Sequence, residues 1–311
     1  MRRLASVLAV ALCVTLTACG QNPAGPGDPA PDPDGFAERA TAVAETWRAR
    51  PADAWHTGYL PLQNATVLAG NPKLTADAEM AFNAGWYTLK TTLPTDPPPG
   101  GVVRFADGEL PTTLVGAVEA YRELDQGDPA PCPQQPGGAQ PTPTGGPDES
   151  VSSAAPCGVL TVTGVELGEV AVLTSRGEAR VPAWLFQVAE IPVPVARVAV
   201  APADTAALPQ VAEPTGAPPA GLVTVQDLSD VDGSQITFRL GIGACDTDPK
   251  PFVEEFDDAV VVSGTVTRPT AGACTDQLLF EPVTVTLAAP LGDRPVLDAV
   301  TGQPMRLPMF R

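Results

Sequence analysis

The chain has 311 residues, of which 44% are hydrophobic and only 5% aromatic, so it can form a sizeable core built mainly from Val, Leu and Ala. Its 36 acidic side chains outnumber 18 Lys and Arg, which gives a formal net charge of -18. A surface this acidic repels phosphate backbones and anionic lipid headgroups, which argues against nucleic-acid binding and against electrostatic attachment to a membrane.

The first 18 residues have the pattern of an export signal. Arg2 and Arg3 supply a positive start, and residues 4–16 form a mostly apolar run. That run is too short to cross a bilayer, which takes ~20 helical residues, but it fits the apolar part of a signal peptide. We therefore expect residues 1–18 to be a cleaved leader.

The sequence LTAC at residues 16–19 closes this run and resembles the lipobox of bacterial lipoproteins. In that family the cysteine receives a diacylglyceryl group and becomes the mature N-terminus. The resemblance implies that Cys19 is lipidated and that the protein is extracytoplasmic and anchored to the cell membrane through its N-terminal lipid. An ordinary secreted protein, cut nearby, is the alternative. Residues 19–35, rich in Pro, Gly and Asp, are predicted to be a disordered tether behind the lipid.

Residues 36–126 have the pattern of a small α+β region. Phe36, Ala40, Val43 and Trp47 recur on one side of a helical projection, and Pro51 ends the pattern. Thr75 is placed to cap a second helix. The predicted elements are helices over residues 36–50, 75–84 and 112–124 and strands over residues 86–93 and 102–105.

Residues 127–156 are rich in Pro, Gly and Ser and nearly free of large apolar side chains, so we predict a disordered loop or linker. From residue 157 to residue 311, Val-rich runs alternate with Gly-containing turns, of which Asp232-Gly233 is typical of a hairpin. A second Pro/Ala-rich break covers residues 201–220. The predicted fold class is α+β: a small N-terminal helical and mixed region followed by a β-rich, sandwich-like C-terminal domain.

Besides Cys19, four cysteines remain outside the leader: Cys132, Cys157, Cys245 and Cys274. An even number in an exported protein predicts two disulfides, with three possible connectivities. We favour Cys132–Cys157, which would close the Pro/Gly-rich loop, and Cys245–Cys274, which would join two similar Gly-Ala-Cys segments. A metal site made of all four thiolates is the alternative, but it lacks a Cys-x-x-Cys pair. We predict no metal centre and no cofactor.

His56 is the single histidine, and with Trp55 and Tyr59 it could line a pocket; the alternative is a surface or packed loop histidine. The sequence contains no G-x-S-x-G elbow, no phosphate-binding Gly loop and no dinucleotide fingerprint.

Carboxylates are the other candidates for chemistry, because clustered Asp and Glu could bind calcium. An EF-hand frame aligned on Gly233 fails, since Leu228 stands at its first ligand position and Arg239 at its twelfth. Solvated acidic loops are the alternative. The candidate ion-binding residues are Asp227, Asp230 and Asp232 on a predicted hairpin and Glu254, Glu255, Asp257 and Asp258 before a Val-rich strand.

TSRGEARVPAWLFQV at residues 174–188 and APLGDRPVLDAVTGQP at residues 289–304 look like segments of actinobacterial secreted lipoproteins of no assigned activity. The resemblance implies an extracytoplasmic, sheet-rich body with two disulfides, and it implies no reaction. We therefore predict a non-enzymatic, lipid-anchored envelope protein that binds a ligand or an envelope partner. The alternative function is a carboxylate-dependent hydrolase acting on cell-wall polymer. A transporter-linked solute-binding lipoprotein is disfavoured, because the repeated βαβ pattern is lacking.

Overall fold

The computed structural model describes residues 33–50, 54–127, 158–269 and 273–308. Within these ranges the chain is α+β and mainly β, with several sheets and few helices, which confirms the predicted sandwich-like fold class. The predicted leader, Cys19, the tether as far as residue 32 and residues 128–156 of the predicted linker lie outside the described residues. No helix in the described part of the chain combines the length and apolar character needed to cross a membrane.

The first helix, α1 (Pro33–Arg48), begins before residue 36, where we predicted its start. Proline fits the first turn of a helix because the amide hydrogen it lacks would have no partner there. The predicted apolar face is confirmed, since Phe36, Ala40, Val43 and Trp47 are all buried.

The first sheet is built on one long hairpin whose two strands fold back at Gly177, where a φ of 80° suits glycine. Apolar side chains are buried on both of its faces, and two helices pack on one of them. The helices and strands in this stretch of the chain are α2 (Ala54–Thr57), β1 (Thr66–Leu68), α3 (Ala76–Ala84), β2 (Tyr87–Leu89), β3 (Gly101–Phe105), β4 (Gly108–Thr112), α4 (Ala117–Leu124), β5 (Leu160–Thr174), β6 (Gly177–Val188) and β7 (Val195–Val198), and α3 and α4 are the two that pack on the sheet.

The hydrogen-bonded order of this sheet is β1-β7-β6-β3-β4, with β5 also paired to β6 and β2 paired to β5. Strands β1 to β4 come from the predicted N-terminal region, whereas β5 to β7 come from the predicted β-rich domain. The segment between residues 127 and 158 therefore connects two parts of one sheet.

Two three-stranded sheets make up the C-terminal part of the fold, ordered β10-β11-β13 and β12-β9-β8. Apolar side chains from both sheets form one core between them, and α1 covers the outer face of the first of the two. A short 3₁₀ helix, Pro202–Asp204, lies in the predicted break. The strands are β8 (Val225–Asp232), β9 (Gln235–Gly243), β10 (Thr247–Glu255), β11 (Val260–Thr267), β12 (Leu278–Thr286) and β13 (Val296–Asp298).

The C-terminal tail joins the first sheet to the β12-β9-β8 sheet. The backbone N–H of Leu307 donates to Leu62 O at 2.7 Å, and that of Leu62 donates to Leu173 O on β5 at 2.9 Å. On the other side the N–H of Leu228, on β8, donates to Arg306 O at 3.0 Å. These bonds hold the two sheets beside each other and fix the space between them.

Two local predictions need correction. The helix predicted to start at residue 112 starts at Ala117, because Thr112 pairs with Gly101 as the last residue of β4. Strand β10 was missed, because its two prolines and its charges hide any period-2 pattern. It lies at the edge of its sheet, where proline is tolerated in a strand.

Candidate functional site

A cleft of about 440 Å³ opens between the first sheet and the β12-β9-β8 sheet. The first sheet contributes β1, the residues just before it, the end of α3 and one residue of β5, while β8, β9 and the C-terminal tail form the other side. Apolar side chains, neutral polar side chains and one arginine line it. The lining residues are Gln63, Asn64, Thr66, Val67, Leu68, Gly70, Phe82, Asn83, Ala171, Ser229, Arg239, Leu307 and Pro308.

Backbone and side-chain partners hold the polar groups on the first-sheet side of the cleft. Gln63 Oε1 accepts a hydrogen bond from Leu173 N at 2.8 Å, and Asn64 Oδ1 accepts one from Thr66 N at 3.1 Å. Thr66 Oγ1 accepts one from Arg197 Nη1 at 2.9 Å. Gln63 and Thr66 keep hydrogen-bonding capacity beyond these contacts. The cleft therefore presents oriented polar groups before any ligand arrives.

Asn83 differs from these residues in the contacts of its side-chain amide. It lies in the last turn of α3, and in the described part of the chain its side chain makes no hydrogen bond to another protein group. An amide offers two donors and a carbonyl acceptor. Asn83 is therefore the lining residue most readily available to a polar ligand.

A guanidinium marks the opposite side of the cleft. Arg239 Nε donates to Asp227 Oδ1 at 2.6 Å, and Nη2 donates to Oδ2 of the same carboxylate. The hydrogen bonds to Asp227 raise the pKa of Arg239, so it stays charged. Its guanidinium carbon also lies 5.3 Å from the centre of the Phe280 ring on β12. Arg239 thus links the cleft to the exposed face of β12.

The structure does not bring Trp55, His56 and Tyr59 together as a pocket. Trp55 is buried and its Nε1 donates to Asp293 O at 2.9 Å, while Tyr59 lies in the core of the first sheet. Burial raises the pKa of the Tyr59 hydroxyl well above its ordinary value. The His56 side chain is 48% exposed, and its Nδ1 lies 3.6 Å from Asp293 Oδ2. None of the three lines the cleft.

Three of the candidate ion-binding carboxylates form ion pairs with arginines. Asp227 binds Arg239, as described above, and Asp258 receives bonds of 2.7 and 2.6 Å from Arg48 Nε and Nη2. Glu255 Oε2 accepts a bond of 3.0 Å from Nη1 of a third arginine, Arg294.

The remaining candidates are Asp230, Asp232, Glu254 and Asp257, on β8, on β10 or in the turn after β10. Across the described residues no group of three Asp, Glu, His or Cys side chains could hold a metal ion.

The arginine contacts change the acidity of two of these carboxylates. Hydrogen bonds from Arg48 lower the pKa of Asp258 below its ordinary value, although partial burial opposes them. Desolvation raises the pKa of Glu255, but the hydrogen bonds from Ala288 N and Arg294 outweigh it and leave that pKa lowered. Both side chains are therefore ionised at neutral pH and act as structural acceptors.

The predicted disulfide Cys245–Cys274 is confirmed, with a Cα–Cα distance of 5.9 Å and a sequence separation of 29 residues. It joins the turn after β9 to the segment before β12, so it fixes one end of this strand pair. The other predicted pair, Cys132–Cys157, lies outside the described residues.

The sequence interpretation missed the polar residues of the cleft. Gln63, Asn64, Asn83 and Ser229 are single neutral side chains with no motif spacing, and only the fold places them together. Arg239 was considered only as a misfit in an EF-hand frame.

Comparison of the chain with known protein families, with curated proteins and with solved structures finds no match. Function must therefore be argued from the site itself.

Proposed function

We propose that this protein is a lipid-anchored, extracytoplasmic binding protein whose ligand occupies the cleft between the first sheet and the β12-β9-β8 sheet. The observation that carries the proposal is the cleft's lining, in which Gln63, Asn64 and Thr66 are held by hydrogen bonds. The same lining includes Asn83, whose amide has no hydrogen-bond partner among the described residues. A concave site of this size, with a few convergent polar groups, is typical of small-ligand binding.

The lining favours an uncharged ligand that carries hydroxyl and amide groups. Such a ligand exchanges hydrogen bonds with Gln63, Asn83 and Ser229 while its apolar faces contact Phe82 and Leu307. Sugars with N-acetyl groups have this chemistry and are abundant in cell walls. We therefore propose a wall glycan, or a fragment of one, as the ligand class.

The cleft supports binding better than hydrolysis. Glycoside hydrolysis commonly uses two carboxyl groups that flank the bond to be cleaved. Among the described residues that line the cleft there is no Asp or Glu, and the nearby Asp227 is held by Arg239. The carboxylate-dependent hydrolase that the sequence left open has no observation in its favour at this site.

Membrane attachment is the second part of the proposal and depends on the LTAC sequence that ends at Cys19. A lipid on that cysteine, followed by a tether rich in Pro and Gly, would hold the folded body off the membrane surface and within reach of the wall. The acidic body supplies no electrostatic attraction to anionic lipids, so the lipid provides the anchor.

Replacement of Asn83 with Ala tests the ligand site. The probe is a soluble tetramer of N-acetylglucosamine, and its affinity is measured by calorimetry. We expect Asn83→Ala to weaken binding about tenfold, since one or two hydrogen bonds of about 1 kcal/mol each are lost.

Met80→Ala is the matched control, because Met80 lies on the same helix, is exposed and does not line the cleft. It should leave the affinity unchanged. Equal affinities for wild type and Asn83→Ala, or no binding of the tetramer to the wild type, would contradict the proposed ligand site.

A further inference from the structure

Strand β12 exposes three consecutive apolar side chains at its N-terminal end. Leu278 is 55% exposed, Leu279 37% and Phe280 49%, although most apolar side chains of this size in the described residues are buried. Among the described residues the strand pairs only with β9, so it forms the edge of its sheet there. Exposed apolar residues on an unpaired strand edge are a template for pairing with another chain.

The register shows which backbone groups of β12 face outward. Leu287 N donates to Ser234 O on the β9 side, and Gln277 O accepts from Ala244 N, so odd-numbered residues bond to β9. Because the two sides alternate along an antiparallel strand, even-numbered residues point their N–H and C=O away from β9. In the described part of the chain, those outward groups of Leu278 and Phe280 have no hydrogen-bond partner.

Pro282 is consistent with the outward direction of the even-numbered residues, and it limits how far a new strand could pair along β12. It is an even-numbered residue, so its missing N–H costs no bond to β9. A strand added from outside cannot receive a hydrogen bond from Pro282, so full pairing is confined to the end that carries Leu278 and Phe280. This is also the end that the Cys245–Cys274 disulfide fixes.

Charge around this edge indicates the kind of partner. Asp276 and Glu281 lie along or next to it, and the cations of the neighbouring strands, Lys250 and Arg239, are each paired with a carboxylate. The whole chain carries a formal net charge of -18. A second copy would bring the same acidic rim against this one, whereas a basic segment would complement it.

We propose that the outer edge of β12 binds an extended, basic segment of another envelope protein by strand addition. The segment's backbone pairs with the outward groups of Leu278 and Phe280, its apolar side chains cover the Leu278–Phe280 patch, and its Lys or Arg side chains meet the acidic rim. This surface is separate from the cleft lining, although Arg239 touches both.

The test compares Phe280→Pro with Phe280→Ala. Both remove the ring, but only proline also removes the outward N–H, and neither disturbs a bond to β9. The probe is a short synthetic peptide of alternating Lys and Val, with a Glu/Val peptide as its charge control. We expect the Lys/Val peptide to slow hydrogen exchange at the Leu278 amide at least tenfold and to bind Phe280→Pro about tenfold more weakly than Phe280→Ala.

Leu278→Pro and Leu278→Ala are a second pair of variants for the same comparison of peptide affinity, to be used if Phe280→Pro does not fold. Equal peptide affinities for the Pro and Ala variants would overturn the proposal, as would unchanged exchange at Leu278 or equal binding of the Glu/Val peptide. A dimer of the protein that depends on β12 would also overturn it, because the occupant would then be a second copy.

Discussion

At the residue scale, the largest departure from the sequence pattern is a buried arginine on α1. Arg39 is only 6% exposed, although a lone charged residue on a helix is far more often exposed. Its guanidinium donates to five backbone carbonyls, those of Ala299, Val300, Pro214, Thr215 and Gly216. A single side chain therefore ties the helix to two separate loops.

Replacement of Arg39 with Met should be among the most destabilising changes in α1. The apolar chain keeps much of the packing volume but leaves two buried and three partly buried carbonyl contacts without a donor. We expect a loss of about 3–5 kcal/mol in the free energy of unfolding, measured by urea denaturation.

Arg48→Met is the matched control on the same helix. Arg48 and Asp258 form an ion pair whose side chains are 43% and 45% exposed, so the loss should be about 0–1 kcal/mol. Similar losses for the two variants would contradict the structural role of Arg39.

Asp298 is another buried charged residue whose hydrogen bonds connect separate segments. Desolvation raises its pKa, while hydrogen bonds from Val225 N, Thr301 N and Thr301 Oγ1 oppose that rise. The carboxylate thereby connects the end of β13 to β8 and shapes the following turn. Neither Arg39 nor Asp298 could be found from the sequence, because a lone charged residue is far more often exposed.

At the element scale, the sequence predicted best where a local rule decides the structure. Thr75 caps α3 by accepting a hydrogen bond from Ala78 N at 3.2 Å, and Gly85 ends that helix in a left-handed conformation. The turn at Asp232-Gly233 joins β8 to β9 as its residue types indicate. Strands β4 and β10 could not be predicted in this way, because their pairing partners, and not their own residues, make them strands.

The Cys245–Cys274 disulfide gives an element-scale prediction. It closes a loop with a sequence separation of 29 residues that contains all of β10 and β11. Replacement of both cysteines with Ala should lower the free energy of unfolding by about 3–4 kcal/mol, because the unfolded chain gains freedom.

Urea denaturation of this variant in the absence of reductant isolates this bond from any other disulfide in the chain. The single substitution Cys245→Ala should match the double substitution, since either one removes the bond. A loss below ~1 kcal/mol in both variants would contradict the proposed contribution.

At the scale of the whole molecule, the cleft exists only because distant segments meet. Residues 63–70, 82–83, 171, 229, 239 and 307–308 line it, and the tail bonds to Leu62 and Leu228 hold its two sides in place. No local period or motif connects these positions. The fold class was therefore predictable from strand and turn patterns, while the candidate site was not.

Chemical-shift mapping by NMR tests the central claim most directly. The full folded body is titrated with the N-acetylglucosamine tetramer, and backbone and side-chain amide signals are followed. We expect the signals of Thr66 and Asn83 on the first-sheet side and of Ser229 and Arg239 on the other side to shift together, with one dissociation constant. Shifts confined to one sheet, shifts outside the cleft or no shifts at all would contradict it.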